Sequence, residues 1–249
     1  MTAPNAAILI IGNEILSGRT QDLNVQFIAK RLAGLGIRLE EVRVVPDVPA
    51  RIIDAVNTLR AAYDMLFTTG GIGPTHDDIT SECIAAAFGV AWEPHEPSMT
   101  VLRNYLGPRF NAEQARMATF PRGAEPIRND VSIAPGFTIG NVHVMAGVPR
   151  IMQSMFLALE PDLPRGEPIL SRALHGMGIM EGNIAAGLTA IQARFPDVDL
   201  GSYPYKRDEG WGVAIVAKGT DAARLDAAMA EVHAMVVADG ITPTEGEPG

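Results

Sequence analysis

Short apolar runs alternate with longer amphipathic stretches through the first third of the chain, and that alternation leaves few folds open. Ala7–Ile11 is a continuous apolar run ending at a glycine, the pattern of a strand buried on both faces. Asn24–Leu35 then places Phe27, Ile28, Leu32 and Leu35 at helical spacing, and Gly36 stops it. Leu39–Val45 predicts a second strand, and Pro49–Ala62 a helix on Ile52, Ile53, Val56 and Leu59. Met65–Thr69 is a third strand, and Ile79–Phe88 the helix after it. Strands that alternate with helices pair in parallel through right-handed crossovers, so the class is α/β.

The middle of the chain is less regular. Glu96–Leu106 and Ala112–Ala118 have helical patterns, followed by Pro121, Pro126, Pro135 and several glycines. Val142–Met145 returns to a buried strand, Gly147 and Pro149 make a sharp turn, and Ile151–Leu159 reads as a helix. Proline and charge crowd Glu160–Pro168, which marks a domain boundary. Beyond it come a strand (Ile169–Leu174), a helix (Glu181–Phe195), two strands (Asp199–Tyr203, Trp211–Ala217) and a helix (Asp221–Val237), a small α+β unit. The expected division is residues 1–163 for the first domain, 168–240 for the second, and 241–249 as a disordered tail, its last stretch Thr242–Gly249 having no apolar content.

Of the 249 residues, 47% are hydrophobic and 20% charged, enough apolar material for a sizeable core. The formal net charge of −9, with basic residues scattered or in pairs such as Lys206-Arg207, argues against a nucleic-acid partner. No run approaches the roughly 20 apolar residues a membrane-spanning helix needs, and no basic segment precedes the first apolar run. The expectation is a cytoplasmic protein with no membrane partner. Its single cysteine, Cys83, sits in an apolar run and reads as a core residue in a reducing compartment.

Chemistry concentrates in Gly70–Thr80, immediately after a predicted strand. Gly70, Gly71 and Gly73 let the backbone turn with positive φ and present consecutive N–H groups, and the next helix points its positive end at the same spot. A phosphate belongs there. The loop has neither the Gly-Lys-Ser/Thr ending of a P-loop nor the G-x-G-x-x-G of a dinucleotide fold. Asp77 and Asp78 have two open roles: capping the helix, or holding a divalent cation against a phosphate. Gly12-Asn13-Glu14-Ile15-Leu16-Ser17-Gly18 follows the first strand, Asp47 the second, and Gly136 and Gly147–Pro149 lie on later loops of the same expected edge. Glu14, Asp47, Asp77 and Asp78 could thus form one acidic cluster, or Glu14 and Asp47 could be solvated loop acids. His76 reads as a surface histidine, and the methionines of Met152–Met155 and Met177–Met180 as core filler. Trp211 and Tyr203 read as structural, with a stacking surface as the other reading.

Gly70-Gly71-Ile72-Gly73-Pro74-Thr75-His76-Asp77-Asp78-Ile79-Thr80 resembles the signature of the molybdopterin-binding (MoaB/Mog-like) domain family. The two aspartates make it most similar to the amino-terminal domain of competence/damage-inducible protein A, CinA. Gly12–Gly18, Asn24, Val45-Pro46-Asp47, Asn129, Ala134–Phe137 and Met145–Pro149 fall in the same order as in that family, the last stretch also resembling eukaryotic FAD synthases. The resemblance covers about residues 6–160, and the second domain resembles the KH-like unit that follows in CinA.

The resemblance implies a Rossmann-like, mostly parallel sheet and a phosphorylated ligand, either molybdopterin or an adenine dinucleotide. It also implies Mg²⁺ (or Mn²⁺ or Co²⁺) and a homo-oligomer, dimer or trimer. Ligand contacts fall on Gly12, Glu14, Ser17, Gly18, Asn24, Gly70, Gly71, Gly73, Pro74, Thr75, Thr80, Gly136, Gly147 and Pro149. Asp78, then Asp47 and Asp77, are the implied catalytic acids, with Asp77, Asp78 and Glu14 as metal ligands. The amidohydrolase domain of full-length CinA has no counterpart in this sequence, so nicotinamide-nucleotide deamidation is not expected. The adenylyltransferases of the family carry basic residues where this loop has Thr75-His76-Asp77. The extra carboxylate favours hydrolysis of a pyrophosphate in ADP-ribose, FAD or a similar dinucleotide over adenylyl transfer to a pterin. A non-catalytic nucleotide-binding module is the remaining expectation.

Overall fold

The computed structural model describes residues 3–248 and divides into two compact units, Met1–Gly166 and Glu167–Gly249. The first contains β1 (Asn5–Ile11), α1 (Asn13–Leu16), α2 (Asn24–Gly34), β2 (Arg38–Val45), α3 (Pro49–Ala62), β3 (Met65–Thr69) and α4 (Thr80–Phe88). There follow β4 (Trp92–Pro94), α5 (Glu96–Leu106), α6 (Ala112–Ala115), β5 (Thr119–Pro121), β6 (Glu125–Ile127), β7 (Gly136–Ile139), β8 (Val142–Met145) and α7 (Pro149–Leu159). The main sheet has the order β2-β1-β3-β8-β7-β6. β2, β1, β3 and β8 are parallel, and β7 and β6 close the sheet antiparallel.

Strand β1 shows why this sequence makes a three-layer unit. Ala7, Leu9 and Ile11 face one side, where they meet Ile52, Val56 and Leu59 of α3 and Cys83 and Ile84 of α4. Ala6, Ile8 and Ile10 face the other, against Ile28 and Leu32 of α2 and Met152, Met155 and Phe156 of α7. Alternate side chains of a strand point to opposite faces, so a strand covered on both must be apolar throughout. Cys83 is part of this core, and burial pushes its thiol up to about 11.

The antiparallel flank differs from expectation. Gly136 is the first residue of β7, not a loop residue, and a Cβ there would lie 2.3 Å from the carbonyl oxygen of Val144. Ala112–Ala118 is one α-helical turn followed by a 3₁₀ turn, because Thr119 must turn into β5.

His143 lies on β8 with only 8% of its surface exposed, stacked on Phe67 at 5.0 Å. Nδ1 is 3.0 Å from the Thr138 hydroxyl oxygen. Burial lowers its pKa from 6.5 to about 4, so the folded protein holds the ring neutral. The unfolded chain takes up a proton below pH 6.5. This contribution to stability is therefore present above that pH and lost as pH falls toward 4. The expected loss is about 2 kcal/mol at pH 5. Denaturant melts of His143→Gln at pH 7.5 and pH 5 should show a correspondingly smaller pH dependence than the native protein; an unchanged dependence would remove His143 as its source.

The second unit has β9 (Leu170–Met177), α8 (Glu181–Arg194), β10 (Asp199–Arg207), β11 (Gly210–Gly219), α9 (Ala222–Ala238) and β12 (Thr244–Glu245). Its antiparallel sheet has the order β10-β11-β9-β12. Leu174, Val213, Ile215 and Ala217 pack against Ile184 and Ile191 of α8 and Leu225, Ala228 and Val232 of α9. Tyr203 and Tyr205 lie over Gly201 and Gly212, where a Cβ would meet their rings within 3 Å. The stretch expected to be a structureless tail carries β12, because a strand edge offers backbone hydrogen bonds that need no apolar side chains. Residue 249 of that stretch lies outside the described residues. Met180, expected in the core, is 65% exposed immediately before α8, and Trp211 and Tyr203 are exposed as well. Among the described residues no helix is long and apolar enough to cross a membrane.

Candidate functional site

Parallel pairing brings the carboxyl ends of β1, β3 and β8 to one edge, and Gly70 is threaded between two of them. Its N–H donates to the Met145 carbonyl at 3.1 Å, and its φ of 102° is one that side-chain-bearing residues rarely adopt. A Cβ would stand 2.1 Å from the Ile11 carbonyl oxygen. Gly71 also has positive φ, and a Cβ there would collide with the Thr80 hydroxyl. Thr80 is fully buried and its N–H donates to the Gly71 carbonyl at 2.9 Å, so it supports the loop from below.

A cavity of about 600 Å³ opens beside this turn. Glu14, Gly70, Gly71, Gly73, Pro74 and Asp78 form one wall, and Gly147 and Pro149 another. The remainder is largely apolar: Leu102 and Leu106 of α5, Met117, Ala134, Pro135, Ile151 and Met155. Such a mixture, a polar edge and an apolar bed, suits a ligand with a charged centre and a flat organic portion.

The acids do not converge as a foursome. Asp47 accepts a hydrogen bond from the backbone N–H of Asn13 at 2.8 Å and so anchors the start of α1. The Glu14 carboxylate folds over Gly12, whose missing Cβ would lie 2.6 Å from it. Asp77 and Asp78 do meet. The Thr75 hydroxyl donates to Asp77 Oδ1 at 2.6 Å and also contacts Asp78 Oδ2, which accepts the Thr75 N–H at 2.8 Å. Neither carboxylate caps α4, which has no side-chain cap at all. The Thr75 hydroxyl holds Asp77 below the usual carboxylate range. Asp78 is half-buried and reaches the cavity wall; Asp77 is more exposed, and the His76 side chain is 98% exposed. Among the described residues no group of three or more His, Cys, Asp or Glu side chains is placed to hold a metal.

The remaining expected residues serve as support. Asn24 is buried and donates to the Gly147 carbonyl at 2.8 Å, which ties α2 to the last loop. The Ser17 hydroxyl donates to the Glu14 carbonyl at 3.2 Å, and Gly18 turns the chain with positive φ. Gly12, Ser17, Gly18, Asn24, Asp47, Thr75, Asp77, Thr80 and Gly136 do not line the cavity. What sequence reasoning missed is the α5 side, Leu102, Leu106 and Met117, whose helical spacing signals burial but not the surface it serves.

Residues 7–165 match the family described as a probable molybdopterin binding domain, more than half of the chain. The chain belongs to that family. Residues 168–245 match the family described as FAD synthase, middle domain. A protein of Pyrobaculum calidifontis is 32% identical over 98% of this chain and 90% of its own length. A CinA-like protein of Anaeromyxobacter dehalogenans is 40% identical over 57% of this chain, but that match spans only 36% of the relative. The crystal structure of the protein CinA, of unknown function, from Thermoplasma acidophilum superposes with a TM-score of 0.61 at 33% identity. It covers 64% of this chain and 98% of that one. The molybdopterin-binding domain thus has the MoaB/Mog-like α/β fold expected from its glycine loop, followed by a small α+β unit.

Proposed function

We propose that this molybdopterin-binding-domain protein is a divalent-metal-dependent nucleotide pyrophosphatase acting on ADP-ribose, FAD or a similar adenine dinucleotide. The observation that carries this reading is one cavity lined by both a positive-φ glycine turn and the Asp78 carboxylate, over an apolar bed. The main-chain amides of Gly71, Ile72 and Gly73 hold the pyrophosphate, the Gly70 N–H being taken by the Met145 carbonyl, and the apolar residues of α5 and Met117 receive the organic portion. Asp78 orients a water and accepts its proton as the water oxygen bonds to phosphorus. The bridging P–O bond breaks, and AMP leaves with the second phosphate monoester.

The chemistry of the acid pair fits Mg²⁺, Mn²⁺ or Co²⁺. Asp77 and Asp78 converge on a single hydroxyl that has one proton to share. Mg²⁺ is commonly held by one or two carboxylates with substrate phosphates, not by an all-protein cage. Asp77 and Asp78 would hold it, with the substrate phosphates completing its shell, and it would supply charge neutralisation at phosphorus.

A second reading, adenylyl transfer to molybdopterin, is favoured by the family match over residues 7–165. Chromatography of protein incubated with ADP-ribose or FAD, with and without each cation, separates the two. Cation-dependent release of AMP without an acceptor is the expected result. Turnover only with a pterin acceptor would assign the transferase, and saturable binding without turnover would leave a binding module. Light scattering of the same sample tests the proposed dimer or trimer.

A further inference from the structure

Arg116 belongs to no motif of the cavity wall, yet it is tied to the acid that faces the cavity. Its Nη2 donates to the main-chain carbonyl of Asp78 at 3.1 Å, across 38 residues of sequence. The guanidinium carbon stands 5.1 Å from the centre of the Trp92 ring. Trp92 is itself fixed. Its Nε1–H lies 3.0 Å from the Ser81 hydroxyl and 2.9 Å from the Thr119 carbonyl, and that hydroxyl donates to the same carbonyl at 2.8 Å. A rigid frame made of β4, β5 and the first turn of α4 therefore holds the guanidinium, which in turn holds the peptide of Asp78.

Two further facts argue that this is more than packing. Arg116 Nε is buried and bonds no protein group, and among the described residues Arg116 has no ion pair. A half-buried guanidinium without a carboxylate is costly for stability alone, and a hydrophobic residue would stack on Trp92 more cheaply. Its planar fork suits a main-chain carbonyl beside an aromatic face. In addition, the next residue, Met117, lines the cavity. One short segment therefore shapes the cavity bed and places the acid.

We propose that Arg116 is a positioning residue of the site, holding the Asp78 peptide so that the carboxylate faces the bound pyrophosphate. This rests on the pyrophosphatase reading. It implies a split: the glycine cradle binds substrate without Arg116, whereas the reacting geometry needs it.

Full-length Arg116→Met and Arg116→Lys are compared with the native chain, using ADP-ribose and Mn²⁺. Arg116→Met is expected to lower kcat at least about 10-fold with KM changed by less than about threefold. Arg116→Lys, which can still donate to the Asp78 carbonyl, should recover part of the loss. Unchanged kcat in Arg116→Met would overturn the proposal, as would a rise confined to KM, which would place the guanidinium on substrate. Should Arg116→Met fold poorly, the Lys variant decides: native kcat with a displaced KM would reject the positioning role. If the native protein releases no AMP, the pyrophosphatase reading fails by itself. The tie is then read by hydrogen exchange of the peptide spanning Gly70–Ser81. Faster exchange in Arg116→Met, reversed in Arg116→Lys, would uphold the placement of Asp78, and unaltered exchange would refute it.

Discussion

Asp78→Asn should lower the rate of AMP release by about 100-fold or more while the protein keeps its fold. The side chain is half-buried at the cavity wall, and its Oδ2 accepts the Thr75 N–H at 2.8 Å. Asparagine keeps an oxygen for that bond, so the Thr75–Asp78 turn survives and the melting temperature should move by only a few degrees. What disappears is the negative charge that accepts a proton from the attacking water, a loss of roughly 100- to 10,000-fold when a general base is removed. Glu14→Gln should cost less, because the Glu14 carboxylate folds over Gly12 and does not share the Thr75 hydroxyl on which Asp77 and Asp78 converge. A near-native rate in Asp78→Asn would end the acid mechanism, whichever substrate is correct.

Gly70→Ala should cost about 3 kcal/mol or more of stability and remove ligand binding with it. Two penalties fall on one residue. The φ of 102° lies outside the range open to alanine, and the new Cβ would be 2.1 Å from the backbone oxygen of Ile11. Backbone cannot rotate aside as a side chain does, so the ends of β1 and β3 must separate. Gly89→Ala is the internal comparison. Its φ is +65°, but nothing lies within 4 Å of the added carbon, so only the conformational cost of about 1 kcal/mol remains. Urea melts of both variants separate the contributions. Equal losses would mean that Gly70 is not pinned against Ile11.

The sequence disclosed the parallel core because continuous apolar strands and helical spacing are local signals. Ala7–Ile11, Met65–Thr69 and Pro49–Ala62 form where their patterns place them, and Gly70 and Gly71 take the expected positive φ, whereas Gly73 does not. Short strands with little periodicity were illegible: β5 and β6 have three residues each and contain Pro121 and Pro126. The acidic foursome failed for a different reason. Parallel pairing brings strand ends together, but it does not aim side chains, and the Asp47 carboxylate is taken by the Asn13 amide. Arg116 left no trace because its link to Asp78 depends on how β4 and β5 fold back upon α4.

The order of strands in the second unit has a consequence for synthesis. β9 is made first, yet its two neighbours, β11 and β12, begin only at Gly210 and Thr244. In the first unit, β1 acquires both partners through successive strand–helix–strand crossovers as the chain emerges. The second unit must instead carry an unpaired β9 until β11 is made, and one bare β9 edge until Thr244 and Glu245 arrive; distant pairing is slow because loop closure comes before any reward in contacts. During that interval the bare edge is the part of the nascent protein most open to a chaperone or to a neighbouring copy.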